Sequence, residues 1–297
     1  MAAQSSIAVP ALPGRPAGPH ICFAVAAALA LAATAHAQDE EPPPMPGPAA
    51  PASAASAPSW HGAIGVTGVL RTGRLGGGGS GLKLEPAFYL RYGRLTITNA
   101  SGFVARRTDD VVRGLGLDMV NGDRVRIGAS LRYDTGRKES SNSGLTGLGD
   151  IPSTVRARLT ANLRLNGPWR LGASWNFDLR NRVGGTFGDI TGGWDLPLGV
   201  DTSMNLGASL TLADGRHMQA YYGITPEQSA RSVYPVFKAH GGLRDGSVFA
   251  NFRHDIGDDW TLLAGTSVSR RLGSAATSPL SLSPWSWGVN AAAGWRF

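Results

Sequence analysis

Arginines at even spacing are the chemistry-bearing pattern of this chain. Arg124, Arg126 and Arg132 share one phase, as do Arg156, Arg158 and Arg164, and Arg170 with Arg180. On a β-strand that spacing puts the guanidinium groups on one face. Asp134 and Asp178 are the acids in phase with them, so the row is expected to be under-neutralised. Unpaired guanidinium clusters attract carboxylate and phosphate, which would suit an anion path or an acidic-ligand site. The competing reading is structural. A polar interior can be filled by arginines bonded to backbone, Asn, Ser and acids on other segments.

Nothing else approaches a catalytic set. His61, His217, His240 and His254 lie on separate segments, and a nucleophile–base pair needs a third orienting group. Ser247 or Asp255 near His254 is the local candidate, but adjacent strand residues point to opposite faces. No catalytic residue is expected, and the chain reads as a non-enzyme. His217 and His240 flank one long loop, yet rim histidines are the better reading. No metal site and no cofactor are expected. Gly76 to Gly79 lacks the strand–loop–helix setting of a phosphate cradle and reads as a loop. Cys22 is the only cysteine, which excludes a disulfide framework or a Cys-based metal site.

The segments that carry these residues alternate with period two. Val125, Ile127, Ala129, Leu131 and Tyr133 oppose the first arginine row. Val155, Ala157, Leu159, Ala161 and Leu163 oppose the second. Trp169, Leu171, Ala173, Trp175 and Phe177 oppose the third, and Met204, Leu206, Ala208, Leu210 and Leu212 continue the pattern. At the C-terminal end Trp285, Trp287, Val289, Ala291, Ala293, Trp295 and Phe297 form one apolar row. Several runs reach the roughly 9–11 residues that cross a bilayer, longer than the usual strand of a soluble sandwich. The expectation is all-β: a transmembrane antiparallel up-and-down β-barrel, twelve strands by turn counting. Alternation is least regular near 95–105 and 187–196, so ten remains open. Pro86 implies a bulge or locally broken pairing in the second strand.

Short turns are expected at 92–94, 121–123, 166–168, 197–201 and 257–259. Longer loops are expected at 72–81, 106–110, 136–152, 181–186, 213–234 and 273–283. In the longest, Thr225-Pro226-Glu227-Gln228 reads as a helix start with a capping box. A short helix through Arg231 would gather Met218, Tyr221, Tyr222 and Pro226 into an extracellular lid, with a new strand starting near Pro235.

Residues 1–37 read as a signal peptide: one Arg, an apolar run from Ile21 to Ala33, and Ala35-His36-Ala37 before Gln38. Residues 38–59 read as a Pro/Ala-rich disordered linker. Residues 60–297 then form one barrel, placed in the outer membrane of a Gram-negative cell. The formal net charge of +7 suits lipopolysaccharide phosphates or acidic cell-wall polymer rather than nucleic acid, which a secreted barrel does not meet.

Specific motifs add a resemblance. Gly136-Arg137, Gly144-Leu145-Thr146-Gly147-Leu148-Gly149-Asp150, Tyr221 to Ser232, Tyr234 to Ala239, Ser278-Pro279 and Trp295-Arg296-Phe297 resemble the MltA-interacting protein (MipA/OmpV) family of outer-membrane proteins. Val233 departs from it, since a Gly usually follows the Ser of the middle block. The resemblance implies an outer-membrane barrel and a role as scaffold between the membrane and murein machinery. It suggests a cell-wall transglycosylase and a murein synthase as partners. With the barrel ending, it makes Trp295 and Phe297 an assembly signal read by the barrel-assembly machinery. The alternative is a small, anion-preferring outer-membrane channel or an adhesin.

Overall fold

The computed structural model describes residues 60–72, 75, 81–99, 114–182 and 184–297. The expected signal peptide and linker, the loop at 106–110 and Gly76 to Gly79 lie outside the described residues. Twelve antiparallel strands close into one barrel, each bonded to its sequence neighbours and the last to the first. The strands are β1 (Trp60–Arg71), β2 (Gly81–Tyr92), β3 (Leu95–Thr98), β4 (Gly114–Asn121), β5 (Val125–Asp134) and β6 (Thr154–Arg164). They continue as β7 (Trp169–Asp178), β8 (Phe187–Pro197), β9 (Thr202–Ala213), β10 (Gly242–Ile256), β11 (Trp260–Arg271) and β12 (Trp285–Arg296). The expected twelve stand; ten does not. Each short turn falls at one end of the barrel, and the described long loops, at 136–152, 184–186, 213–234 and 273–283, fall at the other.

Register fixes the two faces. Ile64 pairs with Trp295 on one side and Phe88 on the other, while Thr67 pairs with Ala292 and Glu85. The apolar phase is the outer one: Leu84 is 70% exposed, Val66 54% and Leu159 48%. Such exposure would be costly in water and is natural in hydrocarbon. All eight tryptophans take this outer phase. At the turn end Trp60 lies 4.7 Å from Tyr92, Trp169 stacks 5.5 Å from Trp194, and Trp295 stacks 5.5 Å from Phe297. Trp285 and Trp287 sit near the loop end of β12, giving an aromatic belt at both rims.

The last bonds to close the ring are reciprocal: Gly62 N donates to Phe297 O at 2.9 Å, and Phe297 N to Gly62 O at 3.0 Å. Pro86 makes no bulge in the β1–β2 ladder, where Val66 faces it in unbroken register. The ladder to β3 stops at Tyr89. Beyond it the Asn99 side chain takes over, donating to Pro86 O (2.8 Å) and accepting from Phe88 N (2.9 Å). Proline's missing N–H therefore falls where no β3 strand residue needs it.

The register can be checked with adjacent substitutions in β1. Val66→Arg places a charge on the lipid face near mid-strand, where the cost is about 2–4 kcal/mol. Thr67→Arg, one residue on, faces the interior opposite Glu85 and should cost far less. Urea-dependent folding into liposomes measures both; equal damage would refute the facing assigned to β1.

Candidate functional site

Most of the paired interior charges line the wall between β4 and β10, with Arg91 of β2 and Arg296 of β12 joining them. Arg170 of β7 pairs with Asp195 of β8, and Asn205 also donates to Asp195 (2.8 Å). Arg158 donates to Ser174 at 3.0 Å and lies 4.0 Å from Asp189. Arg91 pairs with Asp118. Arg126 and Arg132 face inward on β5, opposite Asn162 and Arg156. Arg124 precedes β5 and is exposed; Arg164, at the end of β6 opposite Arg170, is exposed too. Arg180 lies past the end of β7, exposed in the turn, and is not part of the wall. The row has more acid partners than Asp134 and Asp178. Asp118 of β4 and Asp189 and Asp195 of β8 also face this wall.

Arg156 is the hub of this network, with 1% of its surface exposed. Its Nε donates to Asp134 at 2.6 Å, Nη1 to Gly185 O at 2.8 Å, and Nη2 to Gly184 O at 3.0 Å. Its guanidinium also lies 5.2 Å over the Phe187 ring, with Arg244 at 5.1 Å from the same ring. A side chain at Gly184 would bring a Cβ within 2.5 Å of Arg156 Nη2, and Gly185 sits at φ +57° against His217 N. Only glycine lets the two carbonyls approach so closely.

His217 occupies the next layer out. Its Nδ1 is 2.9 Å from Gly184 O and its Nε2 is 3.3 Å from Arg244 Nη1. A carbonyl only accepts, so Nδ1 carries the proton and Nε2 accepts from Arg244. Arg244 is held in turn by Asp245 at 2.5 Å. Asp214 caps the helix that carries His217, accepting from His217 N at 2.6 Å, and also binds Thr186 N and Oγ1. Burial first, then the Arg244 charge, depress the His217 pKa to about 4.

Above this layer the loops fold into a cover. Helix α1 (Gly215–Tyr222) and the short α2 (Pro226–Ser229) come from the β9–β10 loop, and α3 (Gly273–Thr277) from the β11–β12 loop. Met218 and Tyr222, one turn apart on α1, join Ala213, Ala239 and Ala275 in one buried cluster. Tyr221 packs at its edge, its ring 4.6 Å from His217. Leu145, Leu148, Ile224 and Leu280 form a second cluster. Cross-loop bonds tie the pieces: Ser278 Oγ to Tyr222 O (2.6 Å), Tyr234 OH to Gly144 O (2.9 Å) and Gln228 Nε2 to Leu148 O (2.6 Å). Pro226 opens α2 behind a complete Thr225–Gln228 capping box.

Three details depart from expectation. The helix at Pro226 ends at Ser229 rather than Arg231. A longer helix, α1, precedes it; its signal was Asp214, a good N-cap three residues before His217. β10 begins at Gly242, not near Pro235. Residues 235–241 instead run across the cover, bridged to Ile224 by Phe237 (2.8 and 3.0 Å). The Gly-rich block at 144–149 also has a reason. Gly147 sits at φ +85° against Arg231 O, and the Gly147 and Gly149 amides donate to Glu139 at 2.7 and 2.8 Å.

The remaining histidines are apart from this centre. His254 takes the outer phase of β10 and contacts Thr202, Asp255 turns inward to Arg253, and Ser247 bonds Ser209. His240 is exposed. Among the described residues no group of three or more His, Cys, Asp or Glu is placed to hold a metal ion.

Comparison with known proteins matches residues 64–297 to the family model described as MltA-interacting protein MipA. No curated protein matches. Solved structures with a similar barrel include the outer membrane channel DcaP of Acinetobacter baumannii, 9% identical over 81% of this chain and 97% of that one, TM-score 0.38. They also include a bacterial polysaccharide outer membrane secretin, 12% identical over 80% and 97%, TM-score 0.39. OmpT of Vibrio cholerae is 9% identical over 81% and 97%, TM-score 0.36.

His217 gives the cover a pH dependence. Its pKa is depressed from 6.5 to about 4 on folding, so the unfolded loop binds the proton more readily. The contribution is complete above the unfolded value and is lost as pH falls through the folded one, a window of about 6.5 to 4. Amide exchange across Gly215–Tyr222, corrected for intrinsic rates, should lose protection several-fold from pH 7 to pH 5. His217→Gln should flatten that response. A flat wild-type profile would contradict the arrangement.

Proposed function

The chain belongs to the family of the MltA-interacting protein MipA, and from that premise we propose that it is a non-enzymatic scaffold joining the outer membrane to cell-wall machinery. It is an outer-membrane β-barrel protein. The observation that carries the proposal is the packed cover at the loop end, where Met218 and Leu280 are wholly buried and Ile224 is 1% exposed. A barrel built for passage needs an unobstructed mouth; this one invests apolar packing and a charged network in the opposite arrangement.

Long loops belong outside the cell and short turns in the periplasm. The turn end then faces the murein, and the family description points to a lytic transglycosylase as partner. A murein synthase is the second partner that the resemblance implies. Exposed Arg124 and Arg164 there, with Asp201, Asp258 and Asp259 on the turns of β8–β9 and β10–β11, offer charge of both signs for a protein surface. The barrel-assembly machinery inserts it, with Trp295 and Phe297 as the recognised end; residues 1–37 direct export and 38–59 act as a tether.

Photo-crosslinking amino acids at Asn166 and Gly199, on turns, and at Val233, in the cover, test the reading in cells. Adducts with a murein hydrolase should form at the turn positions and not at Val233. In planar bilayers the purified protein should be silent. Reproducible open steps together with absent turn-end adducts would replace the scaffold by a channel, with the arginine wall setting anion preference.

A further inference from the structure

Arg270 is out of place. Among the described strand residues facing outward, it is the only Lys, Arg, Asp or Glu, paired across β11 with Gly246 and Trp285 of the outer phase. It sits next to the loop end of β11, its guanidinium 5.4 Å over the Trp285 ring. Beside it lies an open cavity of about 550 Å³, lined by Thr72, Val268, Ser283, Trp285, Ser286 and Trp287. The lining combines tryptophan faces with hydroxyls, and Trp285 and Trp287 are 54% and 44% exposed.

We propose that this rim is a binding site for the phosphate of a lipid headgroup, with a phosphorylated glycolipid as occupant. A charge on the lipid face is tolerated near the interface because it reaches the headgroups. Stacking on Trp285 presents the edge of the guanidinium, with its fixed fork of N–H donors, to a phosphate. Trp285, Trp287 and Val268 meet the acyl chains below it, while Thr72 and Ser283, whose hydroxyls donate to Trp287 O (3.4 Å) and Trp285 O (3.1 Å), mark the polar edge of the cavity at headgroup depth. The cavity is large enough for a sugar-sized group. A free anion would gain the fork but none of the apolar wall. The inference rests on the outer-membrane reading with the loop end outward, and not on the identity of any protein partner.

The test uses protein purified folded from outer membranes and stripped of lipid in detergent. Native mass spectrometry follows titration with bisphosphorylated lipid A, dephosphorylated lipid A or phosphatidylglycerol, each with and without millimolar inorganic phosphate. Wild type should hold one bisphosphorylated lipid A, and Arg270→Gln should weaken it by at least about tenfold. Arg270→Lys, which keeps the charge and loses the fork, should fall between. Dephosphorylated lipid A should bind no better to wild type than to Arg270→Gln. Equal occupancy in wild type and Arg270→Gln would overturn the site; full displacement by inorganic phosphate would overturn the lipid assignment, as would tighter binding of phosphatidylglycerol. Heat-modifiable mobility checks that each variant is folded. Labelling of Val233→Cys on intact cells by a membrane-impermeant thiol reagent reports orientation separately: a labelled cover with no lipid effect sinks this site and leaves the barrel's placement intact.

Discussion

Every backbone amide in hydrocarbon must find a partner within the protein, and closure of β12 onto β1 is how this chain meets that demand. An open sheet would leave two edges of unpaired N–H and C=O groups, each costing several kcal/mol in lipid. The reciprocal pair between Gly62 and Phe297 completes the ladder at the turn end. Once the ring is closed the side chains have no choice of face. Tryptophans and most strand leucines and valines go outward, and the strand arginines other than Arg270 go inward, because register and alternation are one constraint.

That constraint creates a second problem, since inward charges must be satisfied in a confined space. The wall solves it by pairing neighbours: Arg170 with Asp195, Arg91 with Asp118, Arg156 with Asp134. Arg156 goes further and binds two loop carbonyls, so its desolvation is offset by three separate acceptors. Phe187 lies between Arg156 and Arg244 and supplies a ring face to both. The same carbonyl of Gly184 then receives His217. Wall and cover therefore share atoms, and the loops above are ordered by the charges below as well as by their own apolar contacts.

Much of this was legible in the sequence because a barrel writes its faces into a period of two. Most strand positions and the outward phase follow from alternation, and the five short turns from their Gly, Asn, Asp and Pro residues; the start of β10 at Gly242 does not. Less legible was the neutralisation of the wall. Asp189 and Asp195 sit on β8, whose Gly-rich sequence dilutes the alternation, and Asp118 lies beside an irregularity in β4 between Asp118 and Val120. Sequence could flag the capping box at Thr225. It could not foresee that Pro235 would lead into a bridge with Ile224, because that depends on a partner chosen by three-dimensional packing. Arg270 was equally hidden: its meaning comes from the register that sets it opposite Trp285, among neighbours without charge.

The two rims are consequently different kinds of surface. At the loop end, Met218, Ile224 and Leu280 are buried beneath loops that bond to one another and to the wall. At the turn end, connections are too short to cover anything, and Arg124, Arg164, Asp201, Asp258 and Asp259 stay exposed. The arginine wall is tied to the loop end rather than the turn end, because Arg156 bonds Asp134 near the top of β5 and the Gly185 and Gly184 carbonyls of the β7–β8 loop.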